Sequence, residues 1–337
     1  MKRLWILMIM VLVVVTGCSE NTLEDYKEAL IKTENIEQGK SEIRVDLNMT
    51  FETEGLDEET IRELKTFENI VFEGKTSFDM KEESPKVVSK NFISLGGLGI
   101  HVDYHQDGDR VALYIPMVGK FIDLNMSDME NMSPENEKLG ELTQVDLSDE
   151  TLRSLDVLWR ETFEADDVIK GEKSTMETPE GDVRVVKFTV TPDEMQIKDF
   201  VFDAVNILIN DESVKELTSL MREKSVDGET ALIDVEILDD FETQLNEFMQ
   251  SWTVKSFEVV DFIDVDGYII QSNTNLEIET TSLNAGAMKS MVLTITSDIY
   301  EIEKGQNIEF PELTDDNSIS IDGLQQGLPS TYENLIN

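Results

Sequence analysis

Few residues in this chain could do covalent or metal chemistry, and their spacing decides against most of it. The two histidines, His101 and His105, flank Asp103. On a strand, positions 101, 103 and 105 share a face, and two imidazoles with a carboxylate are a zinc-type donor set. Yet Cβ atoms four residues apart on a strand lie ~13 Å from each other, too far to share one ion, so a solvated polar face is expected and no metal site. Asp261-Phe-Ile-Asp264-Val-Asp266-Gly267 has the outline of a calcium loop. Phe262, however, stands where an EF-hand needs its first acid, and Asp266-Gly267 reads as a hairpin turn. Ser94-Leu-Gly-Gly-Leu-Gly99 has the wrong spacing for a phosphate loop and joins strand to strand. Neither HExxH nor GxSxG occurs. No enzymatic activity and no cofactor are expected.

The one cysteine, Cys18, closes the only long apolar run. Lys2 and Arg3 precede twelve apolar residues, 4–15, and then small residues, the three parts of a secretory signal. Twelve residues are too few to span a bilayer as a helix, which takes ~20. The run ends Val15-Thr16-Gly17-Cys18, which resembles the lipobox of bacterial lipoproteins. The resemblance implies a diacylglyceryl thioether on Cys18, cleavage before it, and display on the outer face of the bacterial cell membrane. Two acyl chains suffice for stable anchoring at ~0.8 kcal/mol per buried methylene. The mature chain would then hold no cysteine, which excludes disulfides, thiol catalysis and cysteine-based zinc sites.

The charge is extreme: 71 acidic against 28 basic residues, formally −43. Loss of residues 1–17 with Lys2 and Arg3 leaves a net charge near −45. Nucleic-acid binding, which needs cations against phosphates, is excluded as an expectation. Electrostatic attachment to anionic headgroups is disfavoured as well, so lipid on Cys18 must do the tethering. A solvated acidic coat explains the charge better than calcium scavenging.

The positioning elements follow from hydrophobic period. Thr22-Leu-Glu-Asp25 reads as a capping box, and Leu23, Tyr26, Leu30 and Thr33 recur at helical spacing over 22–36. In EIRVDLNMTFET, Ile43, Val45, Leu47, Met49 and Phe51 alternate with polar residues, the clearest strand in the chain. Its polar face must meet water, so an antiparallel sheet covered on one side is expected. A helix at 57–67 and strands at 70–80, 87–95, 101–105 and 110–115 follow, with Asp107-Gly108 as a hairpin turn. Residues 123–150 read as an acidic loop or insertion. Leu152, Leu155, Trp159 and Phe163 mark a helix begun near Ser148, and 183–191 reads as a strand. Thr191-Pro-Asp-Glu194 reads as a helix start with Thr191 as cap. Ile197, Phe200, Val201, Ala204, Leu208 and Ile209 give that helix its broad apolar face. Further helices are expected over 212–221 and 240–252. Phe257, Val259, Ile263 and Val265 then share a strand face broken only by Asp261. Leu276 and Ile278 alternate with acids, and Met291, Leu293 and Ile295 line another strand. Helices between two sets of meandering strands make an α+β chain.

This pattern, closed by LTITSDIYEIEKGQNIEFPE, resembles LolA/LprG-type lipoproteins and lipoprotein carriers. The last strand followed by Gln306-Asn-Ile-Glu-Phe-Pro311 is similar to the end of uncharacterised Gram-positive lipoproteins of that group. Covering about residues 23–311, the resemblance implies a curved antiparallel sheet, an open half-barrel, with helices packed on the concave face. Several members of the group hold acyl chains between the two layers. The expected organisation is a signal peptide 1–17, a tether 18–22, one α+β domain 23–313, and a polar tail 314–337 with the composition of disorder. The insertion near 123–150 and the helices near 212–252 depart from the compact pattern. The function implied is binding of a lipid or other amphiphile in an apolar crevice between sheet and helices. Lining candidates are Leu47, Met49, Phe51, Phe188, Phe200, Leu276, Ile278, Leu293 and Ile295. Core-lining and ligand-lining residues look alike in sequence, so a cell-envelope interaction or structural lipoprotein with a filled core fits the same residues. A cell-wall enzyme lacks its motifs, and an importer's binding protein lacks its alternating βα units.

Overall fold

The computed structural model describes residues 22–81, 84–125, 147–215, 251–281 and 286–320. Cys18 with its leader, most of the acidic stretch at 123–150, nearly all of the helices expected over 212–252, and the tail beyond 320 lie outside the described residues.

Two meanders start at the sheet's opposite halves and meet in the middle. β1 (Gln38–Phe51), β2 (Asn69–Asp79), β3 (Lys86–Leu95), β4 (Leu98–Asp107), β5 (Arg110–Ile115) and β6 (Lys120–Asn125) run outward in chain order. β7 (Val168–Thr178), β8 (Gly181–Val190), β9 (Trp252–Asp264), β10 (Ile269–Thr280) and β11 (Met288–Tyr300) run inward, so β11 pairs with β1. β12 (Ser318–Ser320) lies parallel to β6, while the other neighbours are antiparallel. The chain is α+β, built on one large, mostly antiparallel open sheet.

Register turns the alternation of single strands into rows. Val45 faces Phe72 on one side and Ile295 on the other, and Leu47 faces Ile70 and Leu293. The rows continue through Ile93 and Ile100 on β3 and β4 and through Leu276 and Phe257 on β10 and β9. On the opposite face of the central strands the residues are polar. Arg44 bonds Asp46 and Glu73 there, and Lys75 pairs with Glu42. Such solvated pairs contribute ~0–1 kcal/mol each, so the apolar face carries the folding energy.

Helices α1 (Thr22–Glu34), α3 (Asp149–Glu161) and α4 (Glu194–Asn210) gather over the β7–β10 half, while α2 (Glu58–Phe67) touches β1 and β2. Tyr26 and Ala29 of α1 enter a core with Phe163, Val168, Phe188, Val190, Val259, Ile263 and Ile269. Ile197 of α4 packs with Trp252 and Ile278 in a second. Ser148 caps α3 as the sequence implies, its side chain accepting from the Thr151 amide. The start of α4 needs a correction. Thr191 is no cap: its amide still pairs with the Asp167 carbonyl as the extended chain of β8 ends, and the helix does not begin until Glu194. Asp193 caps instead, and the Gln196 side chain returns the bond to close a capping box.

The hairpin turns at Gly96-Gly97 and at Gly108 have the positive φ that such turns require: 57°, 85° and 58°. A side chain at Gly96 would also strike the Thr66 backbone at 2.9 Å, so the turn seats the end of α2. Strand β7 is not legible in the sequence, for it is an edge strand, mostly exposed and bulged between Lys170 and Lys173.

Candidate functional site

The inward face of β9 reads Phe257, Val259, Asp261, Ile263, and the break in that row is the most unusual side chain in the core. Asp261 is 2% exposed. α1 lies across it with its apolar stripe down, which places Tyr26 over Phe188, ring centroids 5.9 Å apart and stacked. The Tyr26 hydroxyl then donates to Asp261 Oδ2 at 2.7 Å inside the core. Asp261 Oδ1 has no hydrogen-bond partner. Ser272 stands directly across on β10. Its hydroxyl is near enough to favour the carboxylate without making a hydrogen bond of normal geometry to Oδ1. Burial pushes the Asp261 carboxyl above the usual carboxylate range, against the opposing hydroxyls of Ser272 and Tyr26. Burial, then the charge and hydrogen bond of Asp261, drives the Tyr26 phenol far upward.

Beside this pair opens a crevice of about 250 Å³ between α1, α3 and the sheet. Leu30, Trp159, Val259 and Ile269 form its apolar walls; Asp261, Ser272, Thr274, Ser297 and Glu34 contribute polar groups. Glu34 is paired with Arg160 at 2.6 Å. Burial raises the Glu34 pKa more than the Arg160 cation lowers it. Thr33 also borders the crevice, but its hydroxyl is occupied, donating to the Ala29 carbonyl and accepting the Ile269 amide.

Next to the crevice runs the apolar band. Thr274, in the crevice, is the register partner of Ile295, which faces Val45. From there the band spreads over Leu293, Leu47, Ile70 and Phe72, all half-buried, to Ile93 and Ile100, 44% and 47% exposed. Covered under α1 and α4 at one end, it emerges into solvent at the other.

The residues expected from sequence to line a ligand divide accordingly. Leu47, Met49, Leu293 and Ile295 sit together in the half-buried band, and Leu276 adjoins them at the edge of the α4 core. Ile278, 4% exposed, and Phe188, 2% exposed, are packed inside the two cores. Phe200 contacts Trp159 at 5.1 Å, and Phe51 lies beyond a bulge at the end of β1. Tyr26, read from sequence only as part of the apolar stripe of α1, and the hydroxyls of Ser272, Thr274 and Ser297 were not foreseen in this role. The signal for them was Asp261 itself, an acid interrupting an apolar face whose partner must come from elsewhere in the fold.

The other chemistry-bearing groups lie apart from this crevice, and among them His105 departs from the solvated face expected from sequence, its Nδ1 being buried without a hydrogen-bond partner. Asp264 accepts the amides of Asp266 and Tyr268 and shapes the β9–β10 turn. His101 lies against Phe92 at 4.8 Å, and His105 meets Phe121 edge-on. Among the described residues no group of three or more His, Cys, Asp or Glu is placed to hold a metal ion. Among them, too, no helix is long and apolar enough to cross a membrane. Two larger depressions, about 690 and 650 Å³, lie between α3 and α4. They are bordered by the charged side chains of Glu150, Glu161 and Asp203 and lie away from the apolar band.

No family model matches the sequence, and no curated protein matches it. Among solved structures the likenesses are distant. A β-barrel-like protein of a domain of unknown function, DUF1849, from Brucella abortus is 11% identical over 78% of this chain and 98% of that one, with a TM-score of 0.15. A DUF1329 family protein from Desulfovibrio piger is 9% identical over 86% and 96%, with a TM-score of 0.18. A LolA superfamily protein from Nitrosomonas europaea is 8% identical over 88% and 96%, with a TM-score of 0.17. Likenesses at this level carry no inference about the site, and the fold stands on the strand register of this chain.

Proposed function

We propose that this protein is a membrane-anchored, extracytoplasmic, non-catalytic carrier or binder of a lipid or other amphiphile. The observation that supports it is the apolar band, continuous across seven strands from β9 to β4, covered by helices at one end and exposed at the other. Micromolar binding needs ~8 kcal/mol. At ~25 cal/mol per Å² that is roughly 330 Å² of apolar area with nothing subtracted. Association costs raise the requirement, so an acyl chain must lie along several rows at once, which the band provides. The anchor belongs to the reading through Cys18, which would hold the band beside a membrane.

The sealed cores around Phe188 and Ile278 favour a second reading, in which the exposed end of the band is an interface for another envelope protein. One experiment separates the two. A soluble form lacking residues 1–18, which retains every described element, is purified, extracted with organic solvent and analysed by mass spectrometry. The lipid reading expects a reproducible amphiphile in the extract and saturable fluorescence enhancement of N-phenylnaphthylamine. An empty extract with no dye binding overturns it in favour of the second.

A further inference from the structure

We infer that the β3–β4 and β5–β6 hairpin turns are the surface by which this protein enters the outer layer of a phospholipid bilayer. The inference rests on the membrane-side placement in the reading above and adds the docking surface to it. Both turns lie at the same end of neighbouring strands, where Leu95 pairs with Leu98 and Ile115 with Lys120. Leu98 is 77% exposed and Met117 74%, and Val118, Ile93 and Ile100 nearby are also open to solvent. Single exposed apolar side chains are ordinary, but a group of them gathered on two adjacent turns marks a contact surface.

Charge decides what this surface meets. Residues 91–102 contain no Asp, Glu, Lys or Arg, and residues 111–122 contain only Lys120, in a chain that is 29% charged. The turns at the opposite end of the same strands read KEES and DGDR, residues 81–84 and 107–110. A second copy of this chain would set its own acidic coat against the first. Anionic phospholipid repels that coat too, so contact with a bilayer is confined to an end whose turns carry no acid. The side chains behind the turns suit the depth of an interface. On the face away from the band, Phe92 lies against His101, and Tyr114 against Phe121 with ring centroids 5.0 Å apart. Tyrosine favours the level where hydrocarbon meets headgroups, and Lys120 can extend its ammonium to lipid phosphate. The insertion is shallow, because Glu68, exposed beside Asn69, whose carbonyl accepts the Gly96 amide, must stay among the headgroups. Ile93 and Ile100 belong both to this surface and to the open end of the band. An acyl chain thus has a path from bilayer to band that does not cross water.

The soluble form lacking residues 1–18 has no cysteine, so Leu98→Cys, Met117→Cys and Asp109→Cys each give a single site for the environment-sensitive dye NBD. Asp109 lies in the turn at the opposite end of β4 and serves as the reference. Each labelled protein is held on phosphatidylcholine–phosphatidylglycerol vesicles by an N-terminal hexahistidine and a nickel-chelating lipid, in place of the diacyl group. The expected result is a blue shift, with quenching by nitroxide-bearing lipid, for the labels at Leu98 and Met117 and neither for the label at Asp109. Leu98→Asp with Met117→Asp, read by NBD on Val118→Cys, is expected to weaken the contact about a hundredfold. No response at Leu98 and Met117, or an equal response at Asp109, overturns the inference. If N-phenylnaphthylamine still binds in that case, the lipid reading survives and the exposed turns fall to a protein partner. A response at the turns without N-phenylnaphthylamine binding overturns the lipid reading and leaves the docking surface standing. Should the doubly acidic variant fail to fold, the three labels decide by themselves.

Discussion

Tyr26→Phe removes one oxygen and leaves the packing of the ring on Phe188 in place. What it takes away is the hydrogen bond to Asp261, whose other oxygen has none. Hydrogen bonds to charged groups contribute ~1.5–3 kcal/mol, so a loss of about 2 kcal/mol is expected at pH values above the raised folded-state pKa of Asp261. The pH dependence follows from proton binding. The Asp261 pKa is raised in the folded state, so the native protein binds this proton more readily than the unfolded chain. The cost of the buried charge is full above the folded pKa and is relieved as pH falls toward the unfolded value. Without the phenol the folded pKa rises further, so the difference between the two proteins narrows with falling pH. At the acidic end it approaches the ~1 kcal/mol of a neutral hydrogen bond. Urea unfolding followed by circular dichroism, carried from alkaline to acidic pH across the whole range in which the protein folds, measures this, and changes in overall self-repulsion cancel in the difference. Tyr26→Phe with Asp261→Leu should recover most of the loss, since both partners are then apolar. A penalty below about 0.5 kcal/mol, or one that does not vary with pH, would refute the account of this pair.

Three further outcomes follow from other parts of the molecule. Asp193→Ala should lower stability by ~1 kcal/mol through loss of the α4 cap, whereas Thr191→Ala should change it little, as thermal melts would show. Ile93→Glu with Ile100→Glu, at positions 44% and 47% exposed, should leave the far-ultraviolet spectrum intact while abolishing saturable dye binding. Retained binding would move the ligand off this end of the band. Asp211 ends α4 and accepts from the Ser213 and Thr151 hydroxyls and the Ser148 amide, which hold its carboxyl well below the usual range. A group depressed in this way stabilises above its unfolded pKa and loses that contribution as pH falls through the folded one. Asp211→Asn should therefore lower the melting temperature at neutral pH, and the gap should close only in strong acid.

Where side chains answer to their own strand or helix, the sequence was sufficient. The alternation from Ile43 to Phe51 specifies both the strand and its buried face, and Asp107-Gly108 specifies its turn. β7 escaped because an exposed, bulged edge has no reason to alternate. The helix start at Asp193 was misplaced by two residues because Thr191 and Asp193 are both good caps, and only the strand pairing of β8 with its surroundings decides between them. The crevice was out of reach for a different reason. Tyr26 and Asp261 are 235 residues apart in the chain, and no local pattern announces that one will donate to the other. Periodicity likewise could not tell Phe188, deep beneath Tyr26, from Leu293, half-open on the band.

The seam between β1 and β11 has a consequence for how such a chain is made. Its ladder, with ion pairs such as Lys40–Glu301, closes a separation of 261 residues. Local hairpins can zip up early on either side, but the middle of the sheet must wait for the last long strand to arrive. A nascent chain that stops short of Met288 would leave the long strand β1 with a bare edge at its most hydrophobic stretch. Such intermediates invite mispairing, so the half-made sheet stays vulnerable until β11 has been made and has docked on β1.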